Sequence, residues 1–383
     1  MAKWFEKRLD EIAEFNPRES LKKGSIAKKI SMDKLQPFCR DVPGFELEPY
    51  SGGTKFRNGD TIMARITPCL ENGKTAKVSV LENGEVGFGS TEYIVFRAKD
   101  GCDPDFLYYL VTSPIVRGPA IKSMVGSSGR QRVQTDVLQT LMVKVPDLET
   151  QQSISGILKS LDDKIAANRK INDNLEQQVK ALFLNYYNQS TTEVRFTDLI
   201  QILGGGTPKT SEISYWNGKI PLFTPKDVGN PYTLNTEKSI TEAGLDHCNS
   251  RLFPVNTVFV TARGTVGKVA LAGVPMAMNQ SCYALIGKDI HQILVYFYTL
   301  KAVERLKYKA SGAVFDAIIT KDFEMENLKT LSNSATEDFI VKAEPVYQLI
   351  LNNTIENQRL GKLRDTLLPQ LMSGELDVSA VEL

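Results

Sequence analysis

The chain has 383 residues, of which 42% are hydrophobic, and this predicts two or three domains with cores of their own. Its 46 basic and 45 acidic residues nearly cancel, which excludes a uniformly basic nucleic-acid-binding protein and leaves only local sites for a polyanion. The five cysteines show no CxxC spacing and no stretch approaches the roughly 20 apolar residues of a membrane span, so we expect a soluble, cytoplasmic protein without disulfides, zinc or a membrane partner.

The first part of the chain, residues 1–148, has the pattern of an α+β domain. A short element at 8–12 comes first, and the β-branched run at 59–65 between turn formers predicts a strand that ends on Ala-Arg. A helical stretch follows at 104–110. The domain then closes on a segment rich in positive charge, with Arg117, Lys122, Arg130, Arg132 and Lys144. Such a segment is either a polyanion site or an ordinary solvated face.

Residues 149–190 predict one long helix. Its apolar residues alternate spacings of four and three, which is the seam of a coiled coil. Asn168 and Asn172 fall on this seam. An asparagine at such a position costs stability but fixes register, because a slipped register would bury the amide without a partner.

The rest of the chain repeats this order about 185 positions later. Residues 191–334 predict a second α+β domain, with a short element at 195–199, a strand that ends on Ala-Arg at 256–263 and a helix at 291–300. Residues 335–383 predict the distal helix and a tail, with Asn353 and Asn357 in the places of Asn168 and Asn172. A repeat of this length indicates two duplicated domains, each followed by its own helix.

The two long helices are expected to pair with each other. Because the second domain lies between them in the chain, an antiparallel arrangement is favoured. The alternatives are that each helix packs on its own domain or that it forms a homodimer. Two features disturb the distal seam: Arg364 occupies a seam position, and Pro345 must lie near the first turn or kink the helix.

Residues suited to catalysis are scarce. His247 and His291 are the two histidines, and neither stands in a metal or triad pattern. The Gly264–Lys268 run lacks the glycine spacing of a Walker A loop. The Gly204–Lys209 loop could approach a phosphate through its amides, but a tight connecting loop is the simpler explanation. No catalytic or metal site is predicted.

Three motifs resemble the specificity subunits of type I restriction-modification systems. They are the Gly204–Pro208 loop followed by Tyr215–Pro221 and Thr224–Asp227, the opening of the central helix at Leu161–Ile165, and the segment Leu367–Glu375. The resemblance covers nearly the whole chain. The first half departs from it, because Glu14–Arg18 replaces the glycine loop, and this departure suggests different DNA contacts in the two halves.

The resemblance implies that each α+β domain is a target recognition domain that reads one half of a split DNA sequence. The helices would form the spacer and dock two methyltransferase (M) subunits, with restriction (R) subunits as further candidate partners. No cofactor is expected in this chain, since S-adenosylmethionine, ATP and Mg would belong to the partner subunits. A helix of about 30 residues spans about 45 Å, or roughly 13 base pairs, which suits two half-sites with a gap between them.

The candidate DNA-binding residues are chosen by charge and loop context. They are Arg65, Arg130, Gln131 and Arg132 in the first half and Lys209, Lys226, Arg263 and Lys268 in the second. Tyr108, Tyr109, Tyr215 and Trp216 could stack on bases, but core packing is the stronger interpretation. Two other functions stay open: a structural adaptor that joins two protein-binding domains through its coiled coil, and an enzyme with an unrecognised hydrolytic site.

Overall fold

The computed structural model of the protein describes residues 3–309 and 316–381. The chain divides into two compact units: Met1–Ala167 with Asn357–Leu383, and Asn168–Glu356. None of the described helices combines the length and apolar character that crossing a membrane requires.

The globular part of the first unit contains ten strands and four short helices within the described residues. They follow in chain order: β1 (Trp4–Arg8), α1 (Leu9–Ile12), β2 (Ala13–Phe15), β3 (Ile26–Ile30), β4 (Glu46–Pro49), β5 (Thr54–Phe56), β6 (Thr61–Ala64), β7 (Thr75–Lys77), β8 (Gly87–Gly89), β9 (Tyr93–Ala98), α2 (Pro104–Thr112), α3 (Pro114–Lys122), α4 (Thr135–Gln139) and β10 (Met142–Pro146).

The central sheet of this unit has the order β2-β9-β6-β7 and is antiparallel throughout. Strand β6 is buried along its whole length, as expected of a central strand whose two faces are both covered. Helix α2 begins at Pro104 because the Asp103 side chain accepts the N–H of Phe106 at 2.7 Å and proline suits the first helical position. Residues 104–112 thus fold as the predicted helix and pack beside the sheet.

Helix α5 (Leu148–Gln189) leads out of the first unit and into the second. The second unit then contains β11 (Glu193–Arg195), α6 (Phe196–Leu199), β12 (Ile200–Gly204), a 3-10 turn (Ile213–Tyr215), β13 (Trp216–Phe223), β14 (Tyr232–Thr233), β15 (Ser239–Ile240), α7 (Glu242–Asp246), β16 (Val258–Thr261), β17 (Val269–Ala272), β18 (Ala277–Met278), β19 (Cys282–Gly287), α8 (Gln292–Lys309), α9 (Thr320–Glu324) and β20 (Asn327–Lys329). Helix α10 (Asn333–Ser373) and a 3-10 turn (Val378–Ala380) complete the described chain.

The second unit repeats the sheet of the first. Its central sheet has the order β12-β19-β16-β17, the counterpart of β2-β9-β6-β7, with β14 added at one edge. In both units a two-stranded pair brackets the domain, β1 with β10 and β11 with β20, and a helix follows the last strand of the central sheet. The shared order is what duplication of one domain produces. We call the two globular parts repeat 1 and repeat 2.

The long helices pair within the chain, and they run antiparallel. In the second unit Asn172 contacts Asn353 and Tyr186 contacts Asp338, while in the first unit Asp162 contacts Arg364. The residue number on α10 falls as the number on α5 rises, which defines an antiparallel pair. The α+β fold with two repeats and an antiparallel coiled coil is therefore confirmed.

Both irregular positions of the distal helix have a structural explanation. Pro345 does not lie near the first turn, because α10 already begins at Asn333. Proline removes the hydrogen bond to the carbonyl of Val341, and that residue is 74% exposed, so water can take the place of the lost donor. Arg364 does not leave the seam open, since its guanidinium donates to the buried Asp162 carboxylate at 2.5 Å.

The predicted domain limits of 1–148, 149–190, 191–334 and 335–383 stay predictions, and their outer ends lie outside the described residues.

Candidate nucleic-acid interface

In repeat 1 two separate loops meet beyond the end of strand β6. Arg65 follows that strand directly, and its carbonyl accepts the N–H of Val133 at 2.9 Å. Thr67 donates to the carbonyl of Gln131 at 3.0 Å, and Ile66 forms an isolated bridge with Arg132. All four candidate DNA-binding residues of the first half are therefore brought to one place, although Arg65 is far from the other three in sequence.

The conformation of the second loop depends on glycine. Gly126 has φ +138°, and a Cβ there would lie 2.9 Å from the carbonyl oxygen of Arg130. Gly129 has φ +77°, in the left-handed region that side chains with a Cβ avoid. The tight return of the chain presents Arg130 at the surface, where it is exposed and forms no ion pair among the described residues.

The three arginines differ in how far their side chains are already engaged. The Arg132 guanidinium holds the Glu92 carboxylate through Nε at 2.9 Å and Nη2 at 2.6 Å. This hydrogen bond from Arg132 lowers the pKa of Glu92. The Arg65 side chain, in contrast, has a buried Nε without a hydrogen-bond partner in the described structure. Arg65 and Arg130 therefore have no carboxylate partner among the described residues, whereas Arg132 is committed to Glu92.

Repeat 2 builds the same junction from different residues. Arg263 follows strand β16 as Arg65 follows β6, and the N–H groups of Ala262 and Arg263 donate to the carbonyl of Ser281 at 2.8 and 3.2 Å. The carbonyl of Ala262 accepts the N–H of Ile318 at 2.9 Å, so the segment before α9 lies beside this loop. The exposed Arg263 thus occupies the position that Arg65 has in repeat 1.

The glycine loop after strand β12 packs against the same region. Gly206 donates to the carbonyl of Met278 at 2.9 Å, and a Cβ on Gly205 would lie 2.3 Å from that oxygen. Thr207 hydrogen-bonds the side chain of Gln280, next to the Ser281 that holds Arg263. The close approach favours the tight connecting loop over a phosphate cradle, and it leaves Lys209 exposed at the loop's end.

Lys226 and Lys268 share one cavity. It has a volume of about 640 Å³ and is also lined by Thr265 of the loop after Arg263. Lys226 is 78% exposed and reaches Glu237 only at 3.3 Å, while Lys268 is exposed and forms no salt bridge among the described residues. These two lysines and Arg263 offer a set of accessible positive charges around one short loop.

Other residues considered from the sequence have structural roles. Tyr108 and Tyr109 are buried in the core, as expected. Tyr215 stacks on His247 with ring centroids 5.0 Å apart, and the Trp216 indole donates to the carbonyl of Lys209 at 3.1 Å. These contacts place both rings against their own repeat.

The basic segment at 117–144 and a second one at 301–309, each of which precedes a long helix in the chain, are largely used within the fold. Arg117 donates to the carbonyl of Glu71 at 2.7 Å, and Arg305 and Lys309 both pair with the buried Glu326. The sequence shows that these residues are charged, but it does not show their partners, the buried Glu326 and the carbonyl of Glu71, because these lie far away along the chain. The described residues contain no group of three potential metal ligands among His, Cys, Asp and Glu.

Comparison with known proteins decides the family. Residues 1–177 and 188–330 match the family described as "Type I restriction modification DNA specificity domain". The chain belongs to this family. It is similar to the type I restriction enzyme HindI specificity subunit of Haemophilus influenzae, with 24% identity over 88% of this chain and 89% of the relative. The MjaIX specificity subunit of Methanocaldococcus jannaschii is 36% identical over 44% of this chain and 40% of the relative.

A solved structure has the same fold as this specificity-domain chain. The crystal structure of a type I restriction-modification S subunit from M. genitalium superposes with a TM-score of 0.59, at 15% identity, and covers 97% of this chain and 96% of that one. The resemblance stated from sequence motifs is thereby confirmed at the level of family and fold.

Proposed function

We propose that this chain is the DNA-reading specificity subunit of a type I restriction-modification complex and that each repeat reads one half of a bipartite target. One observation carries the proposal: in both repeats an arginine just beyond the end of a central strand, Arg65 one residue after β6 and Arg263 two residues after β16, is held next to a second polar loop. Base readout needs such groups, since arginine can donate to two acceptors on a guanine edge in the major groove.

The two repeats carry different side chains on the same scaffold, which supports a non-palindromic target. At the first strand of the central sheet, repeat 1 has Glu14–Arg18, whereas repeat 2 has Gly204–Pro208 followed by Lys209. Duplication within one chain lets each half diverge, whereas a homodimer would read the same bases twice.

Separate roles follow from how each side chain is engaged. Arg65 and Arg130 are the best candidates for base contacts in repeat 1, Gln131 for a further base edge, and Arg132 positions the loop through Glu92. In repeat 2 Arg263 is the base-reading candidate. Lys209, Lys226 and Lys268 are candidates for phosphate contacts, because lysine acts mainly as a point charge.

The chemistry of the complex is assigned to partners. The chain would be non-catalytic and dock two M subunits, with R subunits as further candidates, and those partners would hold S-adenosylmethionine, ATP and Mg. The seam asparagines Asn168, Asn172, Asn353 and Asn357 would set the register of the spacer helices. The Asn172–Asn353 hydrogen bond of 2.8 Å supports this role for one pair.

The decisive experiment is single-molecule sequencing of methylated DNA from cells that express this chain with its neighbouring methyltransferase subunit. We expect a split motif that is methylated only when the chain is present. With Arg130→Ala, methylation should relax or fail in one half-site alone, whereas the control Lys23→Ala, at an exposed residue outside the candidate loops and the long helices, should leave the motif unchanged. If the methylated motif is the same in cells with and without the chain, and expression of the chain is verified, the proposal is refuted.

A second measurement separates DNA reading from the adaptor function. Binding of a duplex that contains the motif should weaken steeply with salt, and each lost phosphate contact should reduce the slope of log K against log salt by about 1. Lys209→Ala and Lys226→Ala test this directly. An adaptor would bind partner proteins and show no salt-dependent affinity for DNA.

A further inference from the structure

Each repeat has a groove at the same place in its fold. The groove lies where a long helix, the helix after the central sheet and a Gly-Lys turn meet. In repeat 1 these are α10, α2 and the turn before β7, and in repeat 2 they are α5, α8 and the turn before β17. The long-helix residues correspond at the 185-residue spacing of the repeat: Asp365 and Leu368 in repeat 1, Lys180 and Phe183 in repeat 2.

The groove of repeat 1 is covered by the chain itself. Phe38 lies over it in a turn with φ +54°, and its N–H donates to the carbonyl of Gly73 at 3.0 Å. The ring packs so closely on Gly73 that a Cβ there would lie 2.6 Å from it. Arg364 donates to the carbonyl of Phe38 at 3.2 Å, and Arg117 lies 5.1 Å from the ring centroid. Only about 40 Å³ of cavity remains beside these residues.

Charge reinforces this covering segment. Arg40 lies two residues beyond Phe38, and its guanidinium donates to Asp105 at 3.2 Å and to Asp163 at 3.0 Å. Repeat 1 thus shows how this kind of groove is filled. An aromatic side chain lies on the glycine turn, and the charges of the lining balance, with Arg117 and Arg364 against Asp162 and Asp365.

The groove of repeat 2 is open and, unlike the balanced lining in repeat 1, is basic. Among the described residues its lining comes from α5, α8 and residues 267–269, and it encloses about 590 Å³. The floor is apolar, formed by Phe183, Leu184, Phe297, Leu300 and Val303. Four lysines stand around it with one carboxylate: Lys180, Lys268, Lys301, Lys307 and Glu304. Lys301 pairs with Glu304 and Lys307 donates to Gly267, so the rim keeps a net positive charge.

We propose that this second site, the lysine groove, binds an acidic segment of a partner protein that carries an aromatic anchor. The aromatic anchor is inferred from repeat 1, where Phe38 covers the equivalent groove. The acidic character is inferred from the lysines, since Lys180 in repeat 2 occupies the position of Asp365 in repeat 1. A peptide fits better than DNA, because phosphates would satisfy the lysines but leave the apolar floor in water. The proposal does not rest on DNA reading, and its primary test uses a peptide and leaves Lys268, a candidate phosphate contact, unchanged.

The probe is a fluorescent peptide with the sequence of residues 34–41 of this chain and its charge reversed. It carries the changes Lys34→Glu, Cys39→Ser and Arg40→Glu, and its binding to the full-length chain is followed by fluorescence anisotropy. We expect saturable binding, and we expect the Phe38→Ala version of the peptide to bind roughly tenfold more weakly, because an aromatic anchor carries much of the energy of a small interface. A peptide with only Cys39→Ser keeps the basic charge and should not bind.

The groove variant and its control are matched in charge. Lys180→Glu with Lys301→Glu changes two rim lysines and should weaken the acidic peptide by roughly tenfold or more. Lys219→Glu with Lys321→Glu makes the same charge change at exposed lysines outside the groove and should leave binding unchanged. Circular dichroism of all variants confirms that the fold is kept.

Several outcomes would overturn the proposal. They are no saturable binding to the wild-type chain, equal binding of the acidic and basic peptides, or equal loss in the groove and control variants. Competition identifies other occupants. If duplex DNA displaces the peptide and the groove variant loses DNA affinity to the same degree, the groove belongs to the DNA surface. If the groove variant instead abolishes self-association of the chain, the occupant is a second copy.

Discussion

Arg364→Met should destabilise the first unit far more than loss of an exposed charge would. The Arg364 side chain is 12% exposed and donates to Asp162, which is 6% exposed and also accepts the Tyr109 hydroxyl at 2.7 Å. Removal of the guanidinium leaves a buried carboxylate with one neutral donor. Breaking a buried pair from one side typically costs about 3–5 kcal/mol, and we expect a loss of that size in the free energy of unfolding.

The assay uses the two tryptophans of the chain, one in each unit. Trp4 packs against Gly374 in the first unit, so a Trp216→Phe background leaves a fluorescence reporter of that unit alone. Urea unfolding followed at Trp4 then gives the stability of each variant. Lys159→Met is the control, because its pair with Asp163 is exposed and such pairs contribute about 0.3–0.5 kcal/mol.

A second substitution tests the cause. Adding Asp162→Leu removes the stranded charge, so the double variant should recover most of the loss and remain about 1–3 kcal/mol below wild type, because the Tyr109 hydroxyl then lacks its acceptor. Adding Tyr109→Phe should recover part of that remainder. The reasoning is refuted if Arg364→Met costs no more than the Lys159→Met control, or if the losses of the two single variants simply add.

Three further predictions concern the second unit, with Trp216 fluorescence in a Trp4→Phe background as the reporter. Asn353→Leu should cost about 1–3 kcal/mol because the buried Oδ1 of Asn172 loses the donor that Asn353 supplies, and adding Asn172→Leu should restore most of the loss; additive losses would contradict the pairing. Burial raises the pKa of the Glu176 carboxyl above its ordinary 4.5, so ionisation of Glu176 destabilises the folded unit as pH rises. Glu176→Gln should therefore stabilise the unit at pH 7, and this gain should vanish in acid, where the wild-type carboxyl is protonated. A stability difference that does not change with pH would refute this prediction. Gly205→Ala should lower the free energy of unfolding by about 1–3 kcal/mol, because the new Cβ would meet two backbone oxygens. It should also weaken methylation at one half-site. Normal stability together with an unchanged methylation motif would exclude the tight packing of this loop.

The duplicated fold was predictable because both of its signals are periodic. The seam spacing of α5 and α10 and the recurrence of Ala-Arg after a strand survive in the amino-acid order itself. The antiparallel direction followed from chain connectivity. The position of Pro345 was not predictable, because the helix tolerates the proline where Val341 is exposed, and exposure is a tertiary property.

The residues of the candidate site were predictable from the sequence, but their hydrogen-bond partners were not. Charge and loop context singled out Arg65 and the loop at 130–132, but the sequence does not reveal that Glu92 engages Arg132 while the Nε of Arg65 has no hydrogen-bond partner among the described residues. It also does not reveal that Phe38 covers one groove. The contacts of Arg132 and Phe38 join residues 35 or more positions apart, and no local pattern records them.

The division of the chain into units has a consequence for how the protein is made. The second unit, Asn168–Glu356, is one continuous stretch and can complete its core as soon as that stretch has been synthesised. The first unit, in contrast, cannot complete its core without residues 357–383, which include Arg364, the partner of Asp162. Repeat 1 is therefore synthesised first but completed last, and during synthesis Asp162 remains without its arginine.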